Sequence, residues 1–394
     1  MDDLSPAGEA RKVLDQGRHA LQALLGTEWQ VEERPDDTEH GDVGWDAVLQ
    51  VHSPGDGIFT ELLVDVRSRV TPKDVAVGNL GSTAHLLRRL KPNTHLMVFA
   101  PWISRRTQEE LARHNIHYLD LTGNVSLRVS RPAIVIHTQG ATKSPVGHYV
   151  PGSKPLLMGP RAGRLVRLLA DVAPPYRATD LARYAGLSVS YVSRLLDVLE
   201  DQLLIARDGK TVAGVDWKQL LVTRASHLDL MRLEPTGFLA PNGIQPVVDA
   251  LAEHATSMRT DSVLVTGSYA ARSLAPIAVG GQLMLYCLSG QHQQLARRLG
   301  LIPVPEAADV LMLNPVDSSV LQRPHSYDRF WQVGPSQLVL DCLSGPGRMP
   351  AEAEKVLEYM EGEEAAWRIP SLRHLAETEA QRSAQFNTEG PALF

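Results

Sequence analysis

The sequence predicts a mixed α/β protein built from several folded blocks, and three observations carry that reading. The chain has 394 residues, length enough for two or three hydrophobic cores. Short runs rich in Val, Ile and Leu alternate with helical periods in its first and last thirds. Between them, residues 161–214 read as helices closing on a hairpin.

Composition narrows the class. A hydrophobic share of 43% and a charged share of 21% are those of an ordinary globular protein. No apolar run approaches the roughly eighteen residues of a membrane span. The opening MDDLSPAGEARKVLDQ is acidic and amphipathic, without the basic-then-apolar plan of a secretory signal. Cys287 and Cys342 offer neither a disulfide framework nor a zinc cluster, so a cytoplasmic location is expected. A net charge of −6 confines any nucleic-acid contact to a local patch.

In residues 1–138, WDAVLQV, TELLVDVRSRV, HLMVFAPW, IHYLDLTGNVSLRV and AIVIH read as strands. Thr71-Pro72 opens one intervening helix and Ser104 caps another. Helices set between strands predict an α/β layer arrangement. Residues 139–160 carry Gly, Pro and Ser without period and read as a linker. Residues 215–375 return to α/β alternation, with DSVLVTGS, QLMLYCLS and ADVLMLNP as strands, and 376–394 form a polar, mobile tail. His114 and His117 have no metal-site spacing, and no metal site is expected.

The central block carries the sharpest signal. RAGRLVRLLADV places Leu165, Leu168, Leu169 and Val172 on one helix face and Arg161, Arg164 and Arg167 on another. TDLARYAG reads as a short second helix, capped by Thr179 and stopped at Gly186. Ser188 caps a third, whose Val192, Leu195, Leu196 and Leu199 make a buried stripe. Ser190, Tyr191 and Arg194 then face outward near its start. LIARDGKTVAG follows as a hairpin turning at Asp208-Gly209, with Arg207 and Lys210 at its tip. This order of elements resembles a winged helix-turn-helix, whose second helix reads the major groove while the wing holds the backbone. The candidate DNA contacts are Ser188, Ser190, Tyr191, Arg194, Arg207 and Lys210, flanked by Arg161, Arg164 and Arg167. Eight basic against six acidic residues in the block is a modest excess, and Asp197, Glu200 and Asp201 make the third helix acidic beyond Arg194. Only its first turns suit phosphate.

The flanking blocks carry incomplete catalytic patterns. Asp46, Glu61 and Asp65, with the element order around TPKDV, resemble the restriction-endonuclease-like (PD-(D/E)xK) fold, whose paired acids hold Mg²⁺. Arg67 stands where that pattern wants Lys, and a guanidinium cannot release its proton to act as a base. The expectation is a degenerate scaffold, the plain alternative being an Asp-Arg pair on a solvated strand face. Gly267-Ser268 in VLVTGSYAARSLAP resembles the phosphate-facing turn of nucleotidyltransferases. The next strand, GQLMLYCLS, lacks the acids that would bind metal, so this domain too is expected to be degenerate. Arg348 would pair with acids or meet a ligand.

YLDLTGN, the winged helix, TGSYAA…LAPI and SQLVLDCLSGPGR together resemble large actinobacterial transcriptional regulators related to AbiEi-type antitoxins of abortive-infection loci. The resemblance implies a DNA-binding protein that represses its own or a neighbouring operon, or controls a toxin, defence or mobile element. The expected partner is double-stranded DNA, read by a homodimer, with no cofactor and no membrane. A Mg²⁺-dependent nuclease targeted by the winged helix is the alternative. A non-catalytic adaptor for a protein or nucleotide is the third reading.

Overall fold

The computed structural model describes residues 6–34, 45–55, 57–91, 93–142, 145, 157–255, 263–275, 280–288, 290–327 and 330–378. Most of the expected linker, and the tail from 379 onward, lie outside them. Two compact units emerge: Met1–Lys154 with Glu200–Leu203, and Pro155–Leu199 with Leu204–Phe394.

The first unit runs α1 (Pro6–Leu25), β1 (Gln30–Glu33), β2 (Ala47–His52), β3 (Phe59–Val66), α2 (Pro72–Ala76), α3 (Asn79–Leu90), β4 (Thr94–Ala100), α4 (Arg105–Arg113), β5 (His117–Asp120), β6 (Val125–Val129) and β7 (Ile134–Thr138). The strands form one sheet in chain order. β1 to β3 and β5 to β7 pair antiparallel, while β3, β4 and β5 run parallel. Alternation along β4 sends Met97 and Phe99 to a core with Leu14 and Leu21 of α1, and Leu96 and Val98 to a second core with Val75 and Leu111. Helices thus cover both faces. Thr71 forms a full capping box with Asp74, and Ser104 accepts from the Thr107 amide, as the sequence predicts.

IHYLDLTGNVSLRV is two strands rather than one. Asp120, 1% exposed, accepts from the amides of Ile103, Thr122 and Asn124 and from the side chains of Thr122 and Asn124. Gly123, at φ +100°, completes the turn. The motif is a buried carboxylate organising a hairpin.

The second unit opens with α5 (Pro160–Asp171), β8 (Tyr176–Arg177), α6 (Ala178–Ala185), α7 (Val189–Asp201), β9 (Ile205–Asp208), β10 (Thr211–Val215) and α8 (Trp217–Ala225). It continues through β11 (Thr236–Leu239), α9 (Ile244–Ala255), β12 (Val263–Thr266), α10 (Gly267–Leu274), β13 (Leu283–Cys287), α11 (His292–Arg298), β14 (Ile302–Pro303) and β15 (Val310–Leu313). β16 (His325–Tyr327), β17 (Phe330–Gln332), α12 (Pro335–Leu343), α13 (Met349–Gly362) and α14 (Glu364–Trp367) complete it. β8, β10 and β9 make a small wing sheet, and the later strands form a seven-stranded sheet ordered β14-β11-β15-β13-β12-β17-β16.

The helical block and the C-terminal block share one core, extending from Leu157 to Leu375. The boundary expected near residue 214 lies within this shared core. Every residue of α5 from Leu165 to Asp171 is buried, the mark of a helix enclosed on all sides. Ala173 donates to the Ile369 carbonyl at 2.7 Å and Ile369 to that of Asp171 at 2.8 Å, tying the chain after α5 to the segment after α14.

Candidate nucleic-acid interface

The recognition helix α7 forms because its apolar residues fall on one stripe: Val192, Leu195 and Leu199 are wholly buried and Leu196 is 2% exposed. Ser188 precedes it, its hydroxyl accepting from the Tyr191 amide at 3.4 Å, a long capping bond. Gly186 ends α6 in the left-handed region at φ 63°. Thr179 is not the cap of α6: the helix begins a residue earlier, at Ala178, and Thr179 lies in its first turn.

The opposite face of α7 stands in solvent at its first turns. Ser188, Ser190 and Arg194 are exposed, and Tyr191 is half-buried with its ring against the core. Burial pushes the Tyr191 hydroxyl above its ordinary range, while Arg161, Arg224 and Arg194 pull it back. Of these three, Arg161 and Arg194 are exposed and Arg224 is buried. The Arg194 Nε donates to the Ser190 carbonyl at 3.2 Å.

Lys210 and Gly209 form the two-residue loop of the wing, and Asp208 is the last paired residue, so the turn sits one position later than the sequence suggests. Gly209, at φ +56°, supplies the left-handed residue such a loop needs first. Lys210 is exposed at the tip. Arg207 instead turns back, its Nη2 donating to Asp197 of α7 at 2.8 Å. Wing and recognition helix are thus tied by an ion pair that also offsets one acid of α7.

The remaining α5 arginines correct the expectation of a basic flank. Arg164 grips Asp317 with Nε and Nη2. Arg167 is 2% exposed, donating to the carbonyls of Ser319 and Gln322 beside Asp171. Both brace α5 against the C-terminal block, and Arg167 has no access to a phosphate.

The other candidates are bound up locally. Arg67 forks onto Asp65, Nε to Oδ1 at 2.6 Å and Nη2 to Oδ2 at 2.8 Å, which raises the Arg67 pKa further. Asp46 accepts from the Val66 amide at 2.7 Å. Glu61 lies four residues before Asp65 on β3, roughly 13 Å away by strand rise. It accepts from Arg34, Gln50 and Thr94 and is too distant to share an ion with Asp65. Among the described residues, no three His, Cys, Asp or Glu side chains group as metal ligands.

The Gly267-Ser268 turn is filled by side chains. Ser268 is 5% exposed and donates to Glu352, and a Cβ on Gly267 would meet Met284 and Met349 at 3.1 and 3.3 Å. Arg348 pairs with Glu352 at 2.7 Å. Cys287 and Cys342 are unpaired and buried; burial pushes the Cys287 thiol up to about 11 and also raises that of Cys342 well above its ordinary value.

Sequence reasoning missed Arg224. It continues the buried stripe of Trp217, Leu220 and Leu221 on α8 at i+7, and an arginine at such a position was the available signal.

These features define a winged helix-turn-helix with a solvated recognition face. The IclR helix-turn-helix domain family matches residues 160–209, from α5 through the turn of the wing. No curated protein and no solved structure matches the chain. The family match supports a DNA-binding transcriptional regulator. No described helix is long and apolar enough to cross a membrane.

Proposed function

We propose that the chain is a sequence-specific transcriptional repressor that reads double-stranded DNA as a homodimer. The first turns of α7 enter the major groove, with Ser190, Tyr191 and Arg194 toward base edges and phosphates. Lys210 reaches the backbone from the wing, and Arg161 adds a flanking contact. The observation that carries this reading is the match of residues 160–209 to the IclR helix-turn-helix domain, with Ser188, Ser190 and Arg194 at the start of α7, Arg161 on α5 and Lys210 at the wing tip all exposed, in a chain of net charge −6. Dimerisation follows from the few base contacts one recognition helix makes. Control of a toxin, defence or mobile-element operon is supported by the motif resemblance to AbiEi-type regulators.

The first unit is read as a nuclease-like scaffold without cleavage activity, because Arg67 occupies the lysine position and engages both oxygens of Asp65. Plasmid incubated with the protein and Mg²⁺ should stay intact, and cleavage abolished by Asp65→Ala would restore the nuclease reading. The repressor reading is tested by selecting bound fragments from the source genome. It expects one enriched motif with two half-sites spaced about 10 base pairs or a multiple apart; no enrichment over input contradicts it.

A further inference from the structure

Beneath the winged helix, within the second unit, lies a cavity of about 90 Å³ walled by α5, α8, α12 and the segments after α8 and β15. Its apolar side is built from Leu228, Leu230, Leu233, Val316 and Leu340. Space of this order holds several atoms beyond a single water.

The charges around it balance except in one place. Asp317 is held by Arg164, Asp229 lies 3.5 Å from Arg232, and Asp341 accepts from Thr266, Tyr286 and Gln337 with Arg167 nearby. Arg224 faces the same space with no carboxylate partner among the described residues. It is 6% exposed; Nη2 reaches the Gly159 carbonyl at 3.3 Å, and buried Nε and Nη1 have no hydrogen-bond partner. Burial draws this guanidinium down to about 10. A buried cation without a counter-charge is costly, and folds keep such groups where something else meets them.

We propose that the cavity is a binding site for a small organic monocarboxylate, with Arg224 as its anion anchor. The volume suits a compact molecule, and the leucines and valine suit its hydrocarbon portion. One negative charge matches the one unmatched guanidinium. A phosphate dianion would add a second charge beside Asp229, Asp317 and Asp341. The site itself stands whether or not α7 reads DNA.

The test is calorimetric titration of the full chain, without DNA, with the sodium salts of butyrate, pyruvate and benzoate, and with inorganic phosphate. At least one carboxylate should bind saturably, one per chain, and phosphate should bind at least tenfold more weakly. Arg224→Gln should weaken carboxylate binding at least tenfold. Val316→Trp, at a rim residue 63% exposed, should do the same by narrowing the mouth without burdening the fold. Absence of carboxylate binding, tighter binding of phosphate, or carboxylate binding unchanged in Val316→Trp would overturn the proposal.

Discussion

Arg161, Arg164 and Arg167 recur every three residues along α5, yet each meets a different environment. Arg161 lies in solvent near Tyr191, Arg164 is clamped to Asp317, and Arg167 is enclosed with two backbone carbonyls. Periodicity identifies the leucine face correctly. It does not say that a second partner, the C-terminal block, covers the arginine face as well. The two ends of the series should therefore separate DNA affinity from stability. Arg167→Ala leaves Asp171 and two carbonyls underserved and should lower unfolding free energy by about 3–5 kcal/mol. Arg161→Ala should leave stability within about 0.5 kcal/mol and weaken DNA binding. Urea denaturation of both variants checks this; equal stability losses would contradict the assignment.

At the scale of elements, α7 is the most legible stretch of the chain. A stripe at i, i+3, i+4 and i+7, a serine before it and a glycine before that fix both its start and its buried face. The YLDLTGN motif is legible as a pattern and opaque as physics. Only the fold brings the Ile103 amide to Asp120 and shows that the motif staples a turn. The pairing of Arg207 with Asp197 is hidden for a similar reason, since along the chain they are two separate charges on different elements. That pair links the wing to α7. Asp197→Asn should break this pair and remove an acid from α7. Affinity for the selected DNA should rise severalfold, and the slope of log affinity against log salt should steepen by up to about one. A lower affinity by fluorescence anisotropy would show that the pair is needed to position the wing, and an unchanged one would contradict the prediction.

For the molecule as a whole, the alternation of helices and strands is readable because it rests on local periods. The merging of two blocks into one core is not, because it depends on which surfaces meet. The buried network at Asp341 lies in that shared core and gives stability a pH dependence. Burial, opposed by bonds from Thr266, Gln337 and Tyr286, raises the Asp341 pKa from 3.8 to about 6. The folded state then holds a proton that the unfolded chain releases between those values. Stability contributed by this group is present at low pH and is lost as pH rises through the window. Relative to Asp341→Asn, the wild-type protein should lose up to about 3 kcal/mol between pH 4 and pH 7. Asp171, held below its ordinary range by Arg323 and Arg167 against its burial, acts in the opposite sense at lower pH and is common to both proteins. Parallel stability curves for the two would remove Asp341 from the account.

The central claim is that the exposed start of α7 and the tip of the wing bind DNA. Anisotropy titrations of wild type, Arg194→Ala and Lys210→Ala on the selected duplex, from 50 to about 200 mM salt, address it most directly. The account predicts weaker binding in both variants by about 1 kcal/mol or more, with a shallower salt slope for Lys210→Ala and relaxed sequence preference for Arg194→Ala. Wild-type affinity and slope in both variants would place the DNA contact elsewhere and contradict it.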